Sequence, residues 1–474
     1  MRKLPKQKTR IVCTIGPASD SVETLQELLK AGMNVARLNF SHGDFTYHAT
    51  LIERIHLASG RVGIPVAVMA DLPGPKMRIG ELEDEPVELR KGQRFVLTAR
   101  KVKGNEEVVS VTMAGLPKVV RRGDTLYLND GLIQLVVEEV RGQDIHCTVV
   151  MGGELRSRKG LNLPGVDLGT KAFTERDREC LAFALEHGVD AVSQSFVGDA
   201  SDVEDVRRAA SVMGFQPFII AKIERASLVD KMDEIIEAAD GIMVARGDLG
   251  VEMPIERIAL AQKSITRKAH RRGKPVITAT QMLESMVRNP RPTRAEATDV
   301  ANAILDGTDA VMLSEESATG EYPVEATRML ARIARAVEPH LERERFKVGS
   351  EEGGPGSRMV NLIAESLDRI VGDLDVAAVV CPTESGATAR NITRFRLPCW
   401  ILALSGSRKT CQGLLFSYGV WPILFEELPS RRVDTARRLV REFGLEGEAL
   451  LLTQGPSRDR PTAEHGLEII GLGS

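Results

Sequence analysis

Aromatic side chains are scarce in this sequence: 13 Phe, 4 Tyr and 2 Trp make up 4% of 474 residues. That argues against recognition of bases or sugars by stacking, which needs aromatic platforms. An excess of one charge is lacking too. Lys and Arg number 63, Asp and Glu 66, and the net charge is −3, so no bulk polarity marks a nucleic-acid or acidic-membrane partner. The six cysteines (Cys13, Cys147, Cys180, Cys381, Cys399 and Cys411) contain no C-x-x-C pair. They read as small buried thiols in a reducing compartment, with neither disulfides nor zinc. No apolar run approaches the ~18 residues of a membrane span. The stretch Ile11–Ile15 after the basic MRKLPKQKTR is also too short for a signal-peptide core. The expectation is a cytoplasmic protein with no membrane and no nucleic-acid partner.

Hydrophobic content, by contrast, is ample at 43%, which supports real cores and excludes wholesale disorder. At ~100–200 residues per domain the length suggests two to four domains. Short β-branched runs alternate with helical patterns, the signature of βα units and a parallel sheet. Strands are expected to begin near Arg10, Asn34, Val66, Ala191, Phe218, Gly241, Pro275 and Asp309. Helices are expected over Val22–Ala31, Leu228–Ala239, Ile255–Arg271 and Val324–Val337, among others. Eight such units close a TIM (β/α)8 barrel. A doubly wound sheet fits less well, since no Gly-rich dinucleotide fingerprint follows the first strand.

Strand starts are separated by 24, 32, 125, 27, 23, 34 and 34 residues. The third interval exceeds its neighbours by about a hundred residues, too long for a structureless loop. Its segments PVELRKGQRFVLTA, DTLYLNDGLIQLVVEEV and DIHCTVVMGG read as short strands with Gly-containing turns, a small inserted β-barrel domain. EEGGPGS, near Glu351, reads as a linker to a fresh α/β alternation with a mostly parallel sheet. The expected division is a barrel over residues 1–73 and 171–345, an inserted β-domain over 74–170, and a C-terminal α/β domain over 355–474.

Polar residues gather at the ends of the barrel strands, where the chemistry of such barrels sits. The second strand ends in Arg37, Asn39 and Ser41, the third in Asp71, and the fifth in Lys222 and Glu224. The sixth ends in Arg246 and Asp248, the seventh in Thr280 and Gln281, and the eighth in Ser314 and Glu315. One such residue is ordinarily a solvated strand end or a cap; six strands carrying them at one end is a stronger signal. Alternate strand residues share a face, so Arg37, Asn39 and Ser41 should project together, as should Lys222 and Glu224 at roughly 7 Å spacing. Glu224 and Asp248 on neighbouring strands form a carboxylate pair suited to Mg²⁺. Lys222 and Arg37 beside them make an anion pocket, and backbone N–H groups of Ala245–Gly247 could join it. The pattern points to metal-assisted phosphoryl chemistry.

The strings TRIVCTIGPAS, NVARLNFSHG, DLPGPKMRIG, AKIER, GIMVARGDLGVEMP and ITATQMLESMVRNPRPTRAEATDVANAILDGTDAVMLS resemble the pyruvate kinase family. The likeness runs from about Arg10 to Ala326, is looser in NDGLIQL and SRKGLNLPG, and is weak in the C-terminal domain. It implies transfer of the phosphoryl group of phosphoenolpyruvate to ADP, giving ATP and pyruvate, the last step of glycolysis. By resemblance Glu224 and Asp248 hold the divalent metal, Mg²⁺ or Mn²⁺. Lys222 neutralises the transferring group, Arg37 grips the phosphate, and Arg246, Gly247 and Asp248 receive the carboxylate. Thr280, with Ser314 behind it, serves protonation of the enolate. Pro17, Arg37, Asn39, His42, Arg78 and Lys159 match nucleotide-site positions, Arg78 also counting among the catalytic residues. The inserted domain acts as a lid. Family habit also implies a homotetramer.

The family's K⁺ site corresponds to Asn39, Ser41, Asp71 and the Leu72 carbonyl. Here Lys76 stands where many members carry an acidic residue. Its ammonium can supply the charge K⁺ otherwise brings, so K⁺ is expected to be dispensable; the alternative is a solvated loop lysine. Smaller departures are AKIER, where Asn often follows the Glu, and MLSEESATG, where a Gly-Glu pair is frequent. The loop Thr383, Glu384, Ser385, Gly386, Ala387 and Thr388 resembles the sugar-phosphate effector loop, making the chain allosteric; an ordinary capped helix is the alternative. Two other functions fit parts of the pattern. A metal-dependent C–C lyase would use the carboxylates and an arginine but needs neither lid nor Lys222. A silent sugar-phosphate sensor would be expected to have lost Lys222, Glu224 or Asp248.

Overall fold

Eight short strands alternating with helices, with one large insertion after the third strand, set the frame. In the computed structural model, which describes residues 4–166, 169, 171–341, 355–426, 432–454 and 466–473, they form a closed parallel barrel. The strands are β1 (Arg10–Thr14), β2 (Val35–Asn39), β3 (Ala67–Leu72), β4 (Ala191–Gln194), β5 (Phe218–Ile223), β6 (Gly241–Ala245), β7 (Val276–Ala279) and β8 (Ala310–Leu313). Each pairs with its sequence neighbours, and β1 pairs with β8 in the register Arg10↔Ala310.

Local chemistry explains the covering helices. In Val22–Ala31, Leu25, Leu28 and Leu29 recur at helical spacing and are buried, while the Ser21 side chain accepts from the Thr24 amide. Arg294–Leu305 opens on a reciprocal Thr293/Glu296 capping box. The stretch expected as one helix from Leu228 instead opens as a 3₁₀ segment, Ala226–Lys231, before the α-helix Met232–Ala238. Lys231 provides no side-chain cap there. Likewise Ile255–Arg257 is 3₁₀ and the α-helix starts at Ile258.

Between β3 and the helix Glu175–Glu186 lies the β-rich insertion. It is a curled six-stranded sheet, with a two-stranded sheet (Val87–Leu89 and Gly153–Leu155) beside it. The edge strands Leu161–Asn162 and Val108–Ser110 belong to an open strand order, so curling over the shared core replaces hydrogen-bonded closure. Its longest hairpin turns through Gly142 and Gln143, and Gly142 sits at φ 62°, the left-handed backbone that two-residue turns require.

The C-terminal α/β domain has strands β9 (Val376–Pro382), β10 (Trp400–Ser405), β11 (Val420–Leu424), β12 (Ala449–Gln454) and β13 (Gly466–Gly471) in the order β11-β10-β9-β12-β13. Only β13, antiparallel to β12, departs from a parallel sheet. The first four residues of the expected linker, 351–354, lie outside the described residues, while Pro355 opens the helix Pro355–Asp373.

This domain plugs the floor of the barrel. Leu415 and Phe416 join Val12, Met69, Ile220, Met243 and Met312 in one buried cluster. Phe416 stacks on Phe218 with centroids 5.2 Å apart. Beside them Arg396 Nη1 lies 2.8 Å from Asp309 Oδ1, and the Tyr418 amide donates to the same oxygen at 3.0 Å.

Candidate active site

The opposite, C-terminal rim holds a chain of alternating charges. Lys222, near the end of β5, has its Nζ 3.0 Å from Glu224 Oε1 and 3.3 Å from Asp71 Oδ1, and donates to Ser195 Oγ at 2.7 Å. Asp71, near the end of β3, accepts from Ser193 Oγ on Oδ1 at 2.6 Å. On Oδ2 it accepts from Arg37 Nη2 at 2.5 Å and Nε at 3.1 Å. Arg37 also donates from Nη1 to Thr14 Oγ1 at 2.8 Å. All four charged groups are buried. Taking each from water costs several kcal/mol, which only close pairing and complete hydrogen bonding offset.

The titration behaviour follows from that balance. Burial pushes the Asp71 carboxyl up, but Lys222, Arg37 and the Ser193 hydrogen bond outweigh it and hold Asp71 at about 2. Burial pulls Lys222 down, while Asp71 and Glu224 raise it above the ordinary lysine range. Glu224 goes up through burial and through the nearby charge of Asp248, against the pull of Lys222. Its second oxygen accepts from the amide of Phe196 at 2.5 Å, and Phe196 adopts a left-handed φ of 55°.

That pair tests the metal expectation. Two carboxylates, one raised by the other's charge, form a donor set that a hard divalent cation satisfies. Among the described residues no group of three His, Cys, Asp or Glu could hold a metal, so the two carboxylates on their own are a partial donor set.

Asp248 lies in the helix Arg246–Glu252, which starts directly after β6. Gly247 donates its amide to Thr280 Oγ1 at 2.8 Å, and Thr280 Oγ1 donates to Ala279 O at 2.6 Å. Thr280 and Gln281 both have positive φ, 70° and 52°, a cost of order 1–3 kcal/mol each that the surroundings must offset. The Arg246 guanidinium turns away to Asp299 Oδ1 at 2.8 Å and the Thr280 carbonyl at 2.8 Å, so it braces the end of β7. The Ser314 amide donates to Glu316 Oε2 at 2.7 Å.

The residues expected on the nucleotide side are less uniform. Ser41 does not share the Arg37 face: β2 ends at Asn39, and Ser41 is exposed in the following turn with its amide on Asn39 Oδ1 at 3.1 Å. Pro17 and His42 are exposed after β1 and β2. Although its side chain reaches solvent, partial desolvation together with the nearby Arg78, Arg37 and Lys76 pushes His42 below its ordinary value, which marks a cationic corner of the rim. Lys76 lies 3.4 Å from Asp248 Oδ1. The Leu72 carbonyl accepts from Ser195 Oγ at 2.7 Å. Lys159 and Arg78 lie on the antiparallel ribbon that enters and leaves the insertion, where the Ile79 amide donates to Lys159 O at 2.9 Å.

In the C-terminal domain Thr383 Oγ1 accepts from the Gly386 amide at 3.0 Å and Ser385 Oγ from Ala387 at 3.4 Å. Glu384, by its carbonyl, accepts from Thr410 Oγ1 at 2.5 Å, and Thr388 lies in the helix Ala387–Thr393.

Sequence reasoning missed Thr14, Ser193 and Ser195, the hydroxyls that satisfy Arg37, Asp71 and Lys222. The alternation Ser193/Ser195 in AVSQSF was the available signal. Serine is too common at strand ends for that signal to stand out.

A closed (β/α)8 barrel with a buried ammonium, an arginine and a carboxylate pair at its C-terminal rim, a β-rich insertion and a C-terminal α/β domain defines an enzyme built to handle small anions. The pyruvate kinase barrel-domain model matches residues 6–327, and the pyruvate kinase alpha/beta-domain model matches residues 361–465. A protein named pyruvate kinase from Thermococcus litoralis is 47% identical over 458 residues, covering 96% of both chains. One from Geobacillus stearothermophilus is 47% identical over 463 residues, 95% of this chain and 78% of the relative. One from Clostridium acetobutylicum is 41% identical over 438 residues, 91% and 92%. The chain belongs to the pyruvate kinase family, and it is a phosphotransferase of a family that uses a divalent metal. Among the described residues no helix is long and apolar enough to cross a membrane.

Proposed function

We propose that the enzyme moves the phosphoryl group of phosphoenolpyruvate to ADP, giving ATP and an enolate that is protonated to pyruvate. The observation that carries this reading is Lys222, a buried ammonium held between Asp71 and Glu224 and raised in pKa by both. A group so held stays charged, and a fixed cation beside a transferring phosphoryl group stabilises the charge spreading over its oxygens. Arg37, oriented by Asp71 and Thr14, grips the phosphate. The backbone of Arg246–Asp248 receives the substrate carboxylate. A divalent cation, Mg²⁺ or Mn²⁺, held by Glu224 and Asp248 supplies further positive charge when bound. Thr280, whose hydroxyl is already committed to Ala279 and Gly247, lines with Ser314 the path by which a water-borne proton reaches the enolate carbon.

Pro17, Asn39, His42, Arg78 and Lys159, with Arg37, take the nucleotide. The insertion closes over them to exclude water. Lys76 brings a fixed positive charge to the place of K⁺, near Asn39, Ser41, Asp71 and Leu72, so turnover needs no monovalent cation. The loop Thr383–Thr388 serves a sugar-phosphate effector. A homotetramer is the assembly that family habit supports, and a cytoplasmic location is the one the sequence composition supports.

The deciding experiment is a coupled assay with phosphoenolpyruvate, ADP and Mg²⁺ on the parent and Lys222→Met. Pyruvate formation in the parent and a loss of roughly 10²–10³-fold or more in kcat in the variant are expected. No pyruvate above background, or an unimpaired variant, refutes the reading.

A further inference from the structure

The insertion leaves the barrel after β3 and returns to it ahead of the helix Glu175–Glu186. One side chain ties both crossings. Asp177, the third residue of that helix, is fully buried. Its Oδ1 accepts from the amide of Gly74, two residues past the end of β3, at 2.9 Å. Its Oδ2 accepts from the Thr174 amide at 2.8 Å and the Thr174 hydroxyl at 2.7 Å, on the returning segment. The Thr174 contacts close an ordinary capping box. The Gly74 bond belongs to no cap, since it reaches back 103 residues along the chain.

A second set of bonds holds the returning segment. Gln194, the last residue of β4, donates from Nε2 to the carbonyls of Ala172 and Ser195, both at 2.9 Å. The Ala172 amide donates to Asp202 Oδ1 at 3.1 Å. The outgoing crossing meets the same place from the other side. Gly74 sits at φ 66°, and a Cβ there would lie 3.0 Å from Ser195 Cβ and 3.1 Å from the Ser195 carbonyl oxygen. Glycine alone suits that backbone and that approach. Ser195 Oγ in turn receives the Lys222 ammonium at 2.7 Å. Both crossings therefore converge on the residue that holds Lys222.

We propose, on the reading of the insertion as a lid, that Asp177 is the positioning residue that sets how the insertion meets the barrel. Two chain crossings held by one carboxylate cannot shift independently, so the insertion pivots as a unit about this knot. Through Gly74 and Ser195 the same carboxylate steadies Lys222. A helix cap alone would need only the Thr174 side of Asp177; the oxygen given to Gly74 is what couples cap to hinge. An asparagine in its place has a single carbonyl oxygen and an NH₂ that can only donate. It can serve one crossing and must turn a donor towards the other.

Nitroxide labels on Arg121→Cys in the insertion and Arg328→Cys on the barrel helix Pro323–Val337 read the hinge without reference to activity. Both positions are exposed, and the six native cysteines are buried. Pulsed electron paramagnetic resonance should give one narrow distance distribution in the labelled parent and a broadened one in Asp177→Asn. In unlabelled protein Asp177→Asn should lower kcat ~10–100-fold, with the KM for phosphoenolpyruvate little changed. Thr174→Val deletes one donor and keeps the carboxylate, so it decides the matter if Asp177→Asn fails to fold. It should broaden the distances as well, and Thr174→Ser should return them to the parent distribution. A lower unfolding temperature with unbroadened distances in the folded variants would make Asp177 a helix cap only and overturn the proposal. A parent that forms no pyruvate would instead refute the phosphoryl-transfer reading, while the distances still decide the role of Asp177.

Discussion

Lys76 Nζ lies 3.4 Å from Asp248 Oδ1, so a residue of the insertion touches a proposed metal ligand of the barrel. Both side chains are only partly exposed, 28% and 19%, which is unlike a solvated loop lysine. If this ammonium replaces a monovalent cation, Lys76→Glu should lose activity roughly 10-fold, equivalent to about 1.4 kcal/mol, in K⁺-free cyclohexylammonium buffer. Added K⁺ should then restore it. Steady-state rates with and without 100 mM-scale K⁺ check this, and strong K⁺ activation of the unaltered enzyme would sink the idea.

Glu224→Gln removes one carboxylate of the proposed metal pair but keeps an oxygen to accept from the Phe196 amide. The divalent concentration for half-maximal activity should rise about 10–100-fold, the range expected when a metal site loses part of its design. Direct Mn²⁺ titration by electron paramagnetic resonance should show the same weakening. An unchanged Mn²⁺ affinity would move the metal off Glu224.

Legibility in the sequence followed the range of the forces involved. Period-two alternation and turn residues are local, so the eight barrel strands and the shared side of Lys222 and Glu224 could be read directly. The Ser41 placement failed because Asn39 bonds the Ser41 amide and turns the chain one residue after the strand, a choice made by one side chain. The strand β13 escaped notice because GLEIIG is an edge strand with only Ile470 buried, and so has no alternation to find. The stacking of Phe416 on Phe218 joins residues almost two hundred positions apart. No local pattern in LLFSYG announces which surface it plugs.

Asp190 provides a pH test at the same domain junction. Its carboxylate accepts from the Val68 amide at 2.8 Å and from Gln412 Nε2 of the C-terminal domain at 3.2 Å. Burial pushes it up to about 6, against the pull of the Val68 amide, Arg408 and Gln412. An unfolded Asp titrates near 4, so between about pH 4 and 6 the folded state holds the extra proton. Stability therefore falls as pH rises through that window and levels off above it. Asp190→Asn keeps an acceptor without the charge. The variant should be the more stable protein at pH 7, with the advantage shrinking towards pH 4. Urea midpoints across this range decide it, and an identical pH slope in both proteins would exclude Asp190 as the source.

Phe416 carries the hydrophobic part of the same docking. It is fully buried and shares its cluster with the innermost side chains of the barrel, so its removal opens a void at the floor and strips the C-terminal domain of its plug. Phe416→Ala should cost on the order of 3–5 kcal/mol, and Phe416→Leu markedly less because most of the volume is kept. If the loss is one of docking, limited proteolysis should release the C-terminal domain faster from the Ala variant, well below the temperature at which the barrel unfolds. Should both variants resist protease like the parent, the polar contacts of Arg396 and Tyr418 with Asp309 would be enough to hold the domains together.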